Sequence, residues 1–164
     1  MEFATRVSRT LDAEHQSTLA LLNRVQAAFV RAPATGAGKD PAIAALASEL
    51  RLLIVEHVDR HFGFEENELF PRLAAAGDGT LGELLHDEHV AILEVASEIA
   101  PLAAAAANGA IDDVGFSRLK RGALELTERL ESHIQKETMS LLPALDDALD
   151  EDADSELTLA YVSA

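Results

Sequence analysis

Apolar residues recur at helical spacing in four stretches of this chain, and turn-forming residues separate them. The first stretch runs from about Ser8 to about Ala32, with Leu11, His15, Leu19, Leu22 and Phe29 on its stripe. It stops before Pro33, and the segment from Ala34 to Lys39 reads as a flexible loop. Asp40-Pro41 opens the second stretch, an N-cap followed by proline at the first helical position. Leu50, Ile54, His57, His61, Glu65 and Leu69 lie on or near one face of it, and Gly77-Asp78-Gly79 ends it. The third opens on a capping box, Thr80-Leu81-Gly82-Glu83. Its stripe is Leu85, His89, Ile92, Ala96 and Ile99, and it closes near Asn108-Gly109. The fourth opens around Asp112-Asp113 and carries Leu119, Leu126, Leu130, His133, Glu137 and Leu141. Pro71, Pro101 and Pro143 are expected to kink or shorten their helices, because proline lacks a backbone donor and clashes with the preceding turn. Short loops between long helices make neighbours antiparallel. The expected fold is all-α, an up-down-up-down four-helix bundle over residues 1–145.

Histidine and glutamate interrupt these stripes in duplicate. One copy runs from His61 through Glu65, Leu69 and Pro71 to Leu73, and the other from His133 through Glu137, Leu141 and Pro143 to Leu145. Each is H-x3-E-x3-L-x-P-x-L. Upstream of each lies a shorter shared element, Glu14-His15 with Leu19 and Glu88-His89 with Leu93. His15 precedes His61 by nearly the same distance as His89 precedes His133. The pattern predicts a pseudo-twofold repeat within the bundle.

Residues i and i+4 share one face of a helix. His61 with Glu65, and His133 with Glu137, therefore each present a nitrogen and an oxygen to one point, while His15 and His89 sit on the apolar stripes of the other two helices. Burying these groups without partners costs several kcal/mol each, of order the penalty for an unpaired polar group. Metal coordination removes that cost. Imidazole with carboxylate, and no sulfur, suits iron, manganese or zinc rather than a soft-metal site. The expected cofactor is two iron ions with an oxo or hydroxo bridge. Both glutamates would bridge, two histidines would bind each ion, and one position on each would stay open. His57 lies one turn before His61, and His86 lies three residues before His89. Either stands where a fifth nitrogen could come from, or where a residue could orient a ligand instead. Glu66 and Glu68 are expected to face solvent or hydrogen-bond a ligand, and Glu14 and Glu88 to lie beside the ligands or on the surface.

Composition narrows the chemistry further. The apolar fraction is 48%, dominated by Leu and Ala, and aromatics are only 4%, a balance that favours helices. Without cysteine there is no disulfide framework, thiolate zinc site, iron–sulfur cluster or thiol catalysis. The net charge is −16, and the 13 basic residues form no stripe, so a nucleic-acid partner is not expected. The N-terminus has no apolar segment of the secretory kind. No apolar run reaches membrane-spanning length, since Pro101 and Asn108-Gly109 break the longest Ala-rich stretch. A cytoplasmic protein without a membrane partner is the expectation. Residues 146–164 read as a solvated acidic tail.

The two H-x3-E…L-x-P motifs and the two upstream histidines resemble the hemerythrin-like (HHE cation-binding) family over roughly residues 10–145. The resemblance implies a four-helix bundle around a non-haem di-iron centre, with His15, His61, Glu65, His89, His133 and Glu137 as ligands. It also implies a small ligand such as O2, NO or H2O2. Family roles include oxygen binding, oxygen or iron sensing, peroxide decomposition and repair of iron centres. Two departures weigh against simple oxygen carriage. The fifth histidine of the oxygen carriers would fall at Leu85, and their last carboxylate, an aspartate five residues after the fourth-helix histidine, is here Glu137 at four. The repair proteins carry a cysteine-bearing domain, and this chain has no cysteine. Ferritin-like proteins need paired Glu-x-x-His motifs, and only Glu83 with His86 fits. A zinc peptidase needs His-Glu-x-x-His, which the His57–His61 segment lacks. Two classes stay open: a protein that binds or senses a small molecule, and an enzyme that decomposes peroxide or reduces NO. No catalytic nucleophile or phosphate loop is legible.

Overall fold

The computed structural model describes residues 3–163, apart from the side chains of Glu56 and His57. The described residues contain helices and no strand. Helix α1 spans Arg6–Arg31; Thr5 caps it, its hydroxyl accepting from the Ser8 amide. Helical rod α2 covers residues 41–75, opened by the Asp40 carboxylate accepting from the Ala42 amide. Helix α3 spans Gly79–Ala107, rod α4 covers residues 113–148, and α5 spans Glu151–Ser163. α1 packs on α2 and α4, and α3 packs on the same two, which closes the ring. At Gly122 of α4 a Cβ would overlap Ile99 of α3, so glycine sets how closely those two approach.

Two apolar clusters fill the interior. One is built on Leu22, Phe29, Leu50, Ile92, Phe116 and Leu126. The other is built on Leu11, Leu69, Leu85, Leu141, Leu157 and Tyr161. The second gathers the N-terminal parts of α1 and α3 and the C-terminal parts of α2 and α4. In α1, α3 and α4 the candidate histidine stands where the stripe passes from one cluster to the other. His15 lies between Leu11 and Leu22, His89 between Leu85 and Ile92, and His133 between Leu130 and Leu141.

Several sequence expectations are corrected. Pro71 and Pro143 do not end their rods; the helix continues through each and widens just before it, to π geometry over Glu65–Leu69 and Glu137–Leu141. The Phe70 amide bonds the Glu65 carbonyl, and the Leu142 amide the Glu137 carbonyl, a five-residue spacing that accommodates the following ring. A third widened segment, Leu53–Val58, carries His57. Pro101 sits inside α3, which continues through it because Ile99 and Ala103 stay packed on either side. α3 is long and apolar enough, by length and composition, to cross a membrane. Its buried stripe lies against α2 and α4 and carries His89. α3 starts at Gly79 without a side-chain cap, so the capping box does not form. The Ala34–Lys39 segment is not free: it contains a 3-10 turn, Ala37–Lys39, and the Gly36 amide donates to Asp113 at 2.7 Å.

The largest correction is the acidic tail. α5 folds back on α1 and buries Leu157 and Tyr161 in the second apolar cluster. Asp154 accepts from the amides of Arg6 and Val7, both at 2.9 Å, and Asp146 from those of Ala4 and Thr5. These are the unsatisfied donors at the N-terminus of α1, where negative charge is stabilising. Two tail acids are therefore caps, and the apolar i, i+4 pair between polar neighbours is an anchor.

Candidate metal centre

All six residues named from the motifs converge. His15, His61, Glu65, His89, His133 and Glu137 are buried at one level of the bundle, the glutamates completely. They form two groups of four. His15, His61, Glu65 and Glu137 make one; His89, His133, Glu65 and Glu137 make the other. Within each group the ligand atoms lie within 4.8 Å of one another.

The glutamates divide their oxygens between the groups. Glu65 Oε1 lies 3.1 Å from His61 Nε2, and its Oε2 lies 3.3 Å from His89 Nε2. Glu137 Oε1 lies 3.0 Å from His133 Nε2, and its Oε2 lies 3.1 Å from His15 Nε2. The imidazole edges face each other at 3.2 Å for His15 and His61 and at 3.1 Å for His89 and His133. Position i+4 after each histidine, followed by the widened turn, is what aims each glutamate between the two pairs.

The outward ring nitrogens settle the tautomers. His89 Nδ1–H donates to Glu66 at 2.8 Å, and His133 Nδ1–H to Glu88 at 2.9 Å. His61 Nδ1–H donates to the Tyr161 hydroxyl oxygen at 2.9 Å, and that hydroxyl donates to Glu14. With Nδ1–H engaged outward on His61, His89 and His133, Nε2 is the nitrogen each of them turns inward, free to bind a cation once any proton on it is lost. The glutamate oxygens, though 3.0–3.3 Å from the ring nitrogens, have no hydrogen-bond partner among the described residues. Four buried, unsatisfied carboxylate oxygens surrounded by inward imidazole nitrogens are what a pair of cations requires. The two groups of four donors, which have both carboxylates in common, could each hold a metal ion.

Electrostatics agree. In the metal-free protein burial pushes His61 down, but the carboxylates of Glu65, Glu14 and Glu137 outweigh it and hold it up at about 10. His133 is likewise pushed down by burial and held up by Glu137, at about 9. Burial raises Glu14, but hydrogen bonds from His61 and Tyr161 overcome it and bring it to about 2. Burial and the neighbouring Glu14 together raise Tyr161.

Of the two candidates for a fifth nitrogen, His86 is half-exposed and turns its Nδ1 to Glu66 at 3.1 Å. The side chain of His57 lies outside the described part of the structure. Leu85, at the place of a fifth histidine, is fully buried in the apolar cluster. Sequence reasoning missed two neighbours. Phe62 stacks on His89 with ring centroids 3.7 Å apart, and Tyr161 reaches His61 from α5. The i, i+3, i+7 spacing of Asp154, Leu157 and Tyr161 carried that signal, masked by the surrounding acids.

A cavity of about 30 Å³ adjoins the cluster, lined in part by His15, His61, His133 and Glu137 and roofed by Leu53 and Val58. That is room for a water or a diatomic molecule. A much larger groove along α3 and α4 is open to solvent and reaches none of the six residues.

Comparison with curated proteins finds no match. The family profile described as Hemerythrin HHE cation binding domain matches residues 6–145, the span that supplies all six converging side chains and leaves out α5. The chain belongs to the hemerythrin HHE cation-binding family.

Proposed function

We propose that the chain holds two iron ions bridged by the carboxylates of Glu65 and Glu137, and binds or senses O2, NO or a related small molecule beside them. The observation that carries this reading is the division of each glutamate's two oxygens between two pairs of histidines. Imidazole and carboxylate without sulfur suit iron, manganese or zinc rather than a soft metal, and membership of the hemerythrin family supports iron among these. The scaffold is read as an up-down-up-down four-helix bundle with a pseudo-twofold repeat. The second apolar cluster supports that, since it takes the starts of α1 and α3 and the ends of α2 and α4.

Bound iron would supply redox chemistry and an open coordination position. The protein supplies the rest. Glu66 and Glu88 fix the rings of His89 and His133, and Tyr161 fixes that of His61. Phe62 and the two apolar clusters exclude bulk water. The cavity of about 30 Å³ is large enough for a diatomic. The net charge of −16 imposes no barrier on a neutral gas and weighs against a nucleic-acid partner; a cytoplasmic location without a membrane partner is part of the same proposal.

A second reading, an enzyme that decomposes peroxide or reduces NO, draws on one observation. Leu85 is apolar and His86 is turned to Glu66, so neither of these two supplies a fifth nitrogen; with no nitrogen from His57, whose side chain lies outside the described residues, both ions would keep an open position. The test is elemental analysis of aerobically purified protein, with absorption spectra before and after anaerobic reduction and re-exposure to air. Two irons per chain and a spectrum that follows oxygen reversibly support binding. Two irons with slow return to a ferric spectrum support the enzyme. Zinc, or no metal, sinks both.

A further inference from the structure

The two histidine pairs match in their inward nitrogens and differ in their outward ones. In the repeat, His61 corresponds to His133 and Glu14 to Glu88. His133 Nδ1–H donates directly to the Glu88 carboxylate at 2.9 Å, and its partner His89 donates to the Glu66 carboxylate at 2.8 Å. On the other side Glu14 Oε2 stands back at 3.4 Å from His61 Nδ1. The Tyr161 hydroxyl is interposed, accepting from His61 at 2.9 Å and donating to Glu14. His15 Nδ1 is buried with no hydrogen-bond partner among the described residues. The cations that temper the two carboxylates balance each other: Arg60 lies 2.9 Å from Glu14, and Lys136 lies 2.8 Å from Glu88.

A carboxylate accepting the distal N–H draws on that proton and makes the far nitrogen a stronger donor to metal. A hydrogen bond to an ionised acceptor is about twice as strong as one to a neutral acceptor. Two carboxylates accept directly from one pair of histidines, at 2.8 and 2.9 Å; behind the other pair a phenol takes the short contact at 2.9 Å and the carboxylate is held back to a long one at 3.4 Å. From this contrast we infer that the two metal positions are unequal. The position of His89 and His133 is the tighter, and Tyr161 is a positioning residue that keeps the position of His15 and His61 the looser by separating His61 from Glu14. The inference rests on the two-metal reading. It places the exchangeable metal on the side where the small cavity is lined by both His15 and His61.

The test loads the full chain anaerobically with iron(II) and follows its removal by a colorimetric iron(II) chelator. The wild-type protein is expected to release one iron quickly and one slowly. Glu88→Gln removes the carboxylate behind His133 and is expected to speed the slow phase by about 10-fold or more, leaving the fast phase in place. Tyr161→Phe keeps the ring packed on Phe64 but deletes the hydroxyl, so Glu14 can close on His61 as Glu88 does on His133. It is expected to slow the fast phase and leave the slow one unchanged. A residue that only packed would, when altered, speed release instead. A single release phase, a slow phase indifferent to Glu88→Gln, or a fast phase that Tyr161→Phe speeds or leaves unmoved overturns the inference. Failure of the wild-type chain to take up two irons overturns the two-metal reading instead.

Discussion

Glu65 and Glu137 each touch both pairs of histidines, whereas each histidine belongs to one pair. Substitutions should therefore differ in count as well as in degree. Glu65→Ala is expected to abolish binding of both ions, and His61→Ala to leave about one per chain, read by elemental analysis of folded protein. Equal losses in the two variants would contradict the shared carboxylates. Protons compete for the same atoms. In the metal-free chain His61 is held up at about 10 and His133 at about 9, above the ordinary value of about 6.5. The stability they contribute is fully present below about 6.5 and is lost as pH rises through about 9 to 10. Metal must displace those protons, so uptake releases protons and strengthens as pH rises toward that range. Calorimetry in two buffers of different ionisation enthalpy measures the release, and denaturant unfolding of the metal-free chain measures the stability loss. Uptake with no proton release would show that the rings are neutral before metal arrives.

At the scale of elements, α5 is joined to the family bundle by a cap and an anchor. Asp154→Ala removes two charge-assisted hydrogen bonds from the start of α1, and a loss of about 1 kcal/mol is expected by urea unfolding. A value near zero would mean water replaces the cap without cost. The helices themselves were legible because Leu11, Leu22, Leu50, Ile92 and Leu126 keep a helical period. The six site residues were legible because they break that period twice in the same way. The widened turns were not, since Pro71 and Pro143 announce only that the preceding turn cannot be regular; widening and kinking satisfy the same lost donor. α5 was not legible either, because capping acids and solvated acids are the same residues until a helix end is placed beside them. Glu14 and Glu88 read as either surface or supporting residues for the same reason.

The whole molecule is two apolar clusters joined through one polar layer. Burial of leucine and phenylalanine stabilises each cluster, but the layer between them is stabilised only when its lone pairs and carboxylates meet cations. Metal removal is expected to lower the melting temperature and to speed amide exchange most around His15, His61, His89 and His133, with the cluster of Phe29 and Phe116 spared. Uniform exchange along α1 to α4 would mean the layer carries no special share of the stability.

All six candidate ligands lie within the matched family span, whereas Tyr161 lies beyond it. With α5 undocked, no hydroxyl would stand between His61 and Glu14, and His61 could be backed as His133 is. His15 Nδ1 would still lack the partner that His89 has in Glu66. Docking of α5 places the hydroxyl there. On the proposed reading, part of the difference between the two positions is thus written by a segment outside the repeat.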